Sequence, residues 1–424
     1  MLRRKIEKKL IENYKNKESK ILILTGARQI GKSYIIRETA SSFFTNYIEI
    51  NLKSDFDGEK KFEKINNIKS FYLQLSADFG EKLGNIDNTI VFLDEIQIYP
   101  HLLTLLKDLK LDNRYRYIAS GSLLGVTLKH TFIPMGSIEE IKMYPLDFEE
   151  FLIAKGVGHE VISYLKDCFV NVTNINENIH KTILQHFREY LISGGLPDSV
   201  NAFLELNISK VRKNQSDTYD YYKDDASKYD NEHNLKIRNI YDFLPSYMEN
   251  KVKRLQFKKI ENYPDANLVK YEDEFNYLVE SGIALQTRAI SEPKFPLLQS
   301  MSKKLIKLYY NDVGILTNIL YKNNIRAILD LDIGINLGSV YETVAATELI
   351  AHGHDLFYFD SKKVGEVDFL INDYESLSPI AVEIKSGKNQ YEYRAIPKLL
   401  SEPYNIKKGY IFNNKNISKK EGNL

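Results

Sequence analysis

Apolar and polar positions divide the chain into three stretches with different periods. In roughly the first 155 residues, candidate strands occur at 21–24, 47–52, 89–93, 115–119 and 138–144. Leu2, Ile6 and Leu10 recur every four residues and predict an opening amphipathic helix, and residues 33–44 predict another. Strands alternating with helices predict a parallel α/β sheet. The pattern then turns helical, and the spacing at 237–248 and 268–278 fits two amphipathic helices, the second stopping at Ser281-Gly282. Residues 283–288 and 305–309 read as strands on either side of a loop that holds Pro293 and Pro296. From Gly338 onward a helix at 343–350 precedes strands at 356–359, 366–371 and 380–385.

The first strand runs into residues 26–33, G-A-R-Q-I-G-K-S, and a helix follows. This fits the phosphate-binding template G-x-x-x-x-G-K-[ST] in its proper strand–loop–helix setting. Glycines let the main-chain N–H groups turn inward, so Gly26, Ala27, Arg28, Gln29, Ile30 and Gly31, with Tyr34 beyond, are the candidate cradle of a nucleotide. Lys32 is expected to reach the β- and γ-phosphates, and the Ser33 hydroxyl to ligate Mg²⁺. Residues 89–97, T-I-V-F-L-D-E-I-Q, describe a buried strand ending in two carboxylates. Ligands of open α/β sheets bind beyond the carboxyl ends of strands, so those acids should face the loop. Asp94 is expected to hold the Mg²⁺ through water, and Glu95 to orient and activate the attacking water.

Composition narrows the picture further. A chain of 424 residues with 43% hydrophobic and 27% charged positions suits a globular protein of several domains. A net charge of +1 exerts no global pull toward nucleic acid or membrane, so any basic surface is local. The single cysteine, Cys168, excludes an intramolecular disulfide and a cysteine-based zinc site, and it fits a reducing cytoplasm. The Lys- and Arg-studded start is not expected to be a secretory signal, and no apolar run is long enough to predict a membrane span. No N-K-x-D motif follows the acidic strand, which favours ATP over GTP.

Together, G-A-R-Q-I-G-K-S, L-D-E-I-Q, the A-S-G-S-L-L-G stretch and M-Y-P-L-D-F-E-E-F (143–151) resemble a family of prokaryotic AAA-type ATPases. That family joins an N-terminal P-loop NTPase to a C-terminal domain long labelled as of unknown function. In such ATPases the strand lying between the P-loop strand and the acidic strand ends in a polar sensor of the γ-phosphate. Ser120 or Ser122 can fill that place, or Ser-Gly-Ser is a strand-ending turn. The resemblance extends to Gly194-Gly195-Leu196-Pro197, where a Gly-x-Pro turn in a helical lid touches adenine in related ATPases; a plain helix-breaking turn explains the same residues, Pro197 included. It also implies a winged-helix arrangement for the helices and hairpin of the middle part. The basic run Lys251, Lys253, Arg254, Lys258 and Lys259 is either a DNA contact or a solvated face.

In the last stretch, Glu383 and Lys385 are two apart on one strand and so share a face, while Asp368 lies on the strand before. Asp and Glu-x-Lys on adjacent strands, with Glu342 on an upstream helix, resemble the PD-(D/E)xK nuclease-like fold, although Val367 rather than Pro precedes Asp368. Carboxylates of Asp368, Glu383 and Glu342 can hold Mg²⁺, and Lys385 can polarise a water or steady a phosphate. The expected layout is an AAA-type ATPase core (1–155), a helical lid (156–230), a winged-helix-like part (231–307) and a restriction-endonuclease-like α/β domain (308–424). The expected activity is Mg²⁺-dependent ATP hydrolysis that drives or gates the last domain on DNA or RNA. The alternative is a nucleotide-gated switch with an inactive nuclease-like fold that recognises a protein partner. Self-assembly into an oligomer stays open.

Overall fold

The computed structural model describes residues 2–122, 136–229, 234–248, 271–330, 337–386, 395–401, 403–404 and 406–416. The basic run from Lys251 to Lys259 lies outside them. The chain divides into two units, Met1–Tyr144 with Glu280–Gly282, and Pro145–Val279 with Ile283–Leu424.

The first unit is built on five strands: β1 (Ile21–Thr25), β2 (Asn46–Asn51), β3 (Thr89–Asp94), β4 (Arg116–Gly121) and β5 (Ile138–Lys142). They run in the order β2-β3-β4-β1-β5, and every pairing is parallel. Every residue of β1, β3 and β4 is buried, which is why β1 and the body of β3 read as apolar runs rather than alternating ones, while β4 buries Arg116 and Ser120 as well. One face of the sheet packs Val91, Leu93 and Ala119 against Phe71, Leu75, Leu102 and Leu106 from the crossover helices Ile68–Phe79 and Pro100–Asp112. Because β4 is inserted between β1 and β3, the register sets Leu24 beside Ser120 and Leu93 beside Ala119. The carboxyl ends of the three central strands therefore meet at one edge.

The second unit begins with helices, the first of which, Phe148–Ala154, lies within the stretch expected to belong to the ATPase core. Asp147 starts it with a capping box to Glu150, and Phe151 packs on Tyr190 and Phe203 of the helices Glu177–Ser193 and Pro197–Leu204. Those aromatic contacts tie the helix to the second unit, and the compact first unit ends at Tyr144. Six strands follow: β6 (Ala284–Ile290), β7 (Met301–Tyr310), β8 (Phe357–Ser361), β9 (Gly365–Asp373), β10 (Ser378–Lys385) and β11 (Lys408–Asn413). They form one mixed sheet in the order β11-β10-β9-β8-β6-β7. The expected hairpin exists as β6 and β7, but it is not a separate wing. β6 pairs in parallel with β8 through Arg288–Phe357, Ala289–Tyr358 and Ile290–Phe359, and the expected boundary at 307/308 falls inside β7. The physical reason is burial: Ala284, Leu285, Ala289 and Ile290 are all enclosed, which requires a sheet neighbour and cover on both faces. No helix among the described residues is long and apolar enough to cross a membrane.

Candidate nucleotide site and a C-terminal carboxylate cluster

The loop after β1 folds as its glycines require. Gly26 has φ +129°, and a Cβ there would lie 2.2 Å from the Met143 carbonyl oxygen; Gly31 has φ +92° and starts the helix Lys32–Phe43. Between them Gln29 is also left-handed, while Ala27 and Ile30 are buried and anchor the loop to the core. Tyr34 stands exposed at the start of the helix. Lys32 is buried, and its Nζ donates to the carbonyl oxygens of Gly26 (2.9 Å) and Ala27 (2.6 Å). Burial lowers its pKa to about 8, against the opposing pull of Glu95 and Asp94.

Asp94 collects donors from two strand ends and the helix. Ser33 Oγ donates to its Oδ1 at 2.8 Å, Ser120 Oγ donates to the same oxygen, and Asn51 Nδ2 reaches Oδ2 at 3.3 Å. Burial pushes its carboxyl up despite those hydrogen bonds, and the neighbouring Glu95 and Glu49 carboxylates act in the same direction. A serine hydroxyl beside a buried carboxylate is a hard-oxygen donor set of the kind Mg²⁺ takes. Glu95 has φ +58°, unusual for a residue with a side chain, and the 3₁₀ turn Ile96–Ile98 follows directly. Ser122 Oγ donates to Glu95 Oε2 at 2.9 Å, Gln97 Nε2 donates to the same oxygen, and Arg28 Nε donates to Ser122 Oγ at 2.8 Å. The two candidate sensor serines thus divide, Ser120 to Asp94 and Ser122 to Glu95. Arg37 is engaged elsewhere, in a two-bond pair with Glu49.

Pro197 opens the helix Pro197–Leu204 in the second unit, and Gly194–Leu196 form the turn that ends the preceding helix. The two glycines are there for close approach. A Cβ on Gly194 would lie 2.2 Å from Asp312 Oδ1, and one on Gly195 2.1 Å from the Leu146 oxygen.

In the second unit, β9 and β10 pair antiparallel with Val382 opposite Phe369, so one step further Asp368 faces Glu383. Asp368 Oδ2 accepts the Ile384 N–H at 2.8 Å, and Lys385 Nζ lies 2.5 Å from Glu383 Oε1. Glu383 is buried, its Oε2 has no partner among the described residues, and burial raises its pKa against the pull of Lys385. Glu342 is buried on the helix Gly338–Ala351 and accepts from Tyr309 Oη at 3.4 Å. Burial holds the Tyr309 hydroxyl far above its ordinary pKa, and the charges of Glu342, Asp368 and Glu366 act in the same direction. Asp368, Glu383 and Glu342 each have a donor in the fold. Among the described residues, the three side chains whose ligand atoms come within 4.8 Å of one another are instead Asp147, Glu348 and His352. Two of these serve helix capping: Asp147 accepts from Glu150 N (2.8 Å) and Glu348 from Phe148 N (2.7 Å).

Gln97, Tyr309, Lys307 and Glu366 stand in segments read as strands or motif from the sequence but carry no role there. Lys307 is buried, paired with Glu366 and 4.4 Å from the Tyr358 ring centroid. Its alternation with Tyr309 along β7 was the available signal.

Comparison with known proteins finds three family matches along the chain. Residues 18–152 match the AAA domain family; residues 184–326 and 337–423 match two domains of unknown function (DUF8612 and DUF4143). No curated protein matches the chain. Among solved structures, the Holliday junction branch migration motor RuvB of Thermotoga maritima and a substituted form of it each share 14% identity, covering 66% of this chain and 88% of theirs. Their TM-score of 0.29 is too low to carry an argument about this molecule. The five parallel strands, the glycine loop and the acidic strand end all lie within residues 18–152, the stretch that matches the AAA domain family.

Proposed function

We propose that the first unit binds ATP with Mg²⁺ and hydrolyses it, and that this cycle drives or gates the second unit. The observation that carries the reading is the convergence on Asp94 and Glu95: Ser33 and Ser120 on one carboxylate, Ser122 and Gln97 on the other, beside a loop whose lysine is buried. Main-chain groups of residues 26–31 would hold the phosphates with Lys32, and Ser33 and Asp94 would hold the metal. A bound Mg²⁺ supplies neutralisation of charge on the phosphate oxygens. Glu95 accepts the proton of the attacking water, and the loop fixes the reacting phosphate in position. Steady-state turnover of wild type and Glu95→Gln tests this. Binding without turnover is expected for the variant, and hydrolysis at the wild-type rate would remove Glu95 from the role.

For the second unit the first reading is a nuclease-like module with Asp368, Glu383 and Lys385 at its site and Glu342 in support. It rests on the cross-strand placement of Asp368 against Glu383-x-Lys385. A specific observation favours the alternative, a nucleotide-gated switch with an inactive module. Asp368 Oδ2 accepts a main-chain N–H, Glu383 Oε1 pairs with Lys385, and Glu342 accepts from Tyr309, so each has a protein partner of its own. Incubation with DNA or RNA and Mg²⁺ or Mn²⁺, with and without ATP, decides between them. Cleavage lost in Asp368→Ala with Lys385→Ala supports the nuclease, and no cleavage under any condition supports the switch.

A further inference from the structure

We infer that Ser122 and Gln97, with Arg28 behind them, form a clamp that orients the Glu95 carboxylate toward the attacking water. This rests on the ATPase reading and adds three positioning residues to it. The chemistry of the donors fixes the direction of the chain. A guanidinium Nε only donates, so Ser122 Oγ must accept from Arg28 (2.8 Å), and its single O–H is left to point at Glu95 Oε2 (2.9 Å). The Gln97 amide is fixed in the same way, because turned over it would set its oxygen against a carboxylate.

Both bonds end on Oε2, which leaves Oε1 as the oxygen to take a proton. The backbone serves the same end. Glu95 at φ +58° and the 3₁₀ turn after it bring Gln97 back onto a side chain only two residues earlier. Gln97 Oε1 is buried and has no partner among the described residues. A glutamine kept for packing would have both ends of its amide satisfied; this one is satisfied only at its nitrogen, which donates to Glu95 Oε2 and, at 3.4 Å, to Ser122 Oγ. A base held by a second group, which is itself held by a third, is the usual arrangement for a catalytic side chain that must keep one orientation. Since Arg28 belongs to the phosphate loop, the aim of the base is tied to the conformation of that loop.

The test is kcat against ATP affinity in Ser122→Ala, Ser122→Thr, Gln97→Leu and wild type, with a thermal melt to confirm folding. Misaiming a catalytic group costs about tenfold to a hundredfold in rate. A fall of that size is expected in kcat for Ser122→Ala and Gln97→Leu, with ATP affinity by calorimetry within about twofold of wild type. Ser122→Thr keeps the hydroxyl and should recover most of the rate. Unchanged kcat in both truncated variants, in a wild type that hydrolyses ATP, overturns the clamp alone. An ATP affinity that falls in step with kcat also overturns it, since these groups would then be phosphate contacts. A wild type without any turnover removes the ATPase reading itself, and the clamp with it.

Discussion

At Lys32, burial among loop carbonyls and proximity to two carboxylates pull in opposite directions, and burial wins, with a pKa of about 8. ATP binding calls for the cationic form, so binding above that pH must be accompanied by proton uptake. ATP affinity should therefore be flat below pH 8 and fall about tenfold by pH 9. Calorimetry in buffers of different ionisation heat checks this, and constant affinity from pH 7 to 9.5 would contradict it. Gly26 gives a second residue-scale expectation. At φ +129° with the Met143 oxygen 2.2 Å from where a Cβ would sit, Gly26→Ala must displace the loop or the strand end beside it. A loss of about 2 kcal/mol or more in stability, together with weakened nucleotide binding, is expected. Denaturant unfolding at the wild-type midpoint would show that the position is not strained.

At the scale of elements, the turn Gly194–Leu196 and the helix Val313–Tyr321 are joined by Asp312. It caps the helix at Ile315 N (3.1 Å) and also accepts Gly195 N (2.6 Å), in full burial. Burial outweighs those hydrogen bonds and pushes its carboxyl up to about 6. The sign follows from linkage: a raised native pKa means the folded protein holds the proton more tightly than the unfolded chain. Its contribution is fully present below about pH 4 and is lost as pH rises through about 6. Relative to Asp312→Asn, the wild type should lose about 3 kcal/mol between those limits. Denaturant titrations of both proteins at pH 4.5 and 7 measure the difference, and a gap independent of pH would contradict the assignment. Gly195→Ala should disrupt the same joint, because its Cβ would meet main-chain atoms of Leu146 that cannot move aside.

At the scale of the whole molecule, individual strands and helices were legible, while their partners were less so. Fully buried strands such as β1 and β3 announce themselves as continuous apolar runs, and the glycine loop carries its geometry in its spelling. The hairpin of β6 and β7 was readable as two strands, but no periodicity tells which sheet a strand joins, so its pairing with β8 was not. Ser122 and Gln97 reach Glu95 through a tight turn and a neighbouring strand end, contacts that leave no spacing rule behind. Tyr309 beside Glu342 is likewise a meeting of strand and helix distant in sequence. If the second unit uses its carboxylates on nucleic acid, Asp368→Ala should leave ATP turnover within about twofold of wild type while abolishing cleavage. Parallel loss of both activities would mean that the substitution damages the fold.

The most direct test of the central claim is calorimetric titration of ATP with Mg²⁺ into wild type, Lys32→Ala and Glu95→Gln, followed by turnover of each. Saturable heat for wild type and Glu95→Gln, none for Lys32→Ala, and phosphate release from wild type alone is the predicted result. Absence of heat for wild type with any nucleoside triphosphate, or undiminished binding by Lys32→Ala, would contradict it.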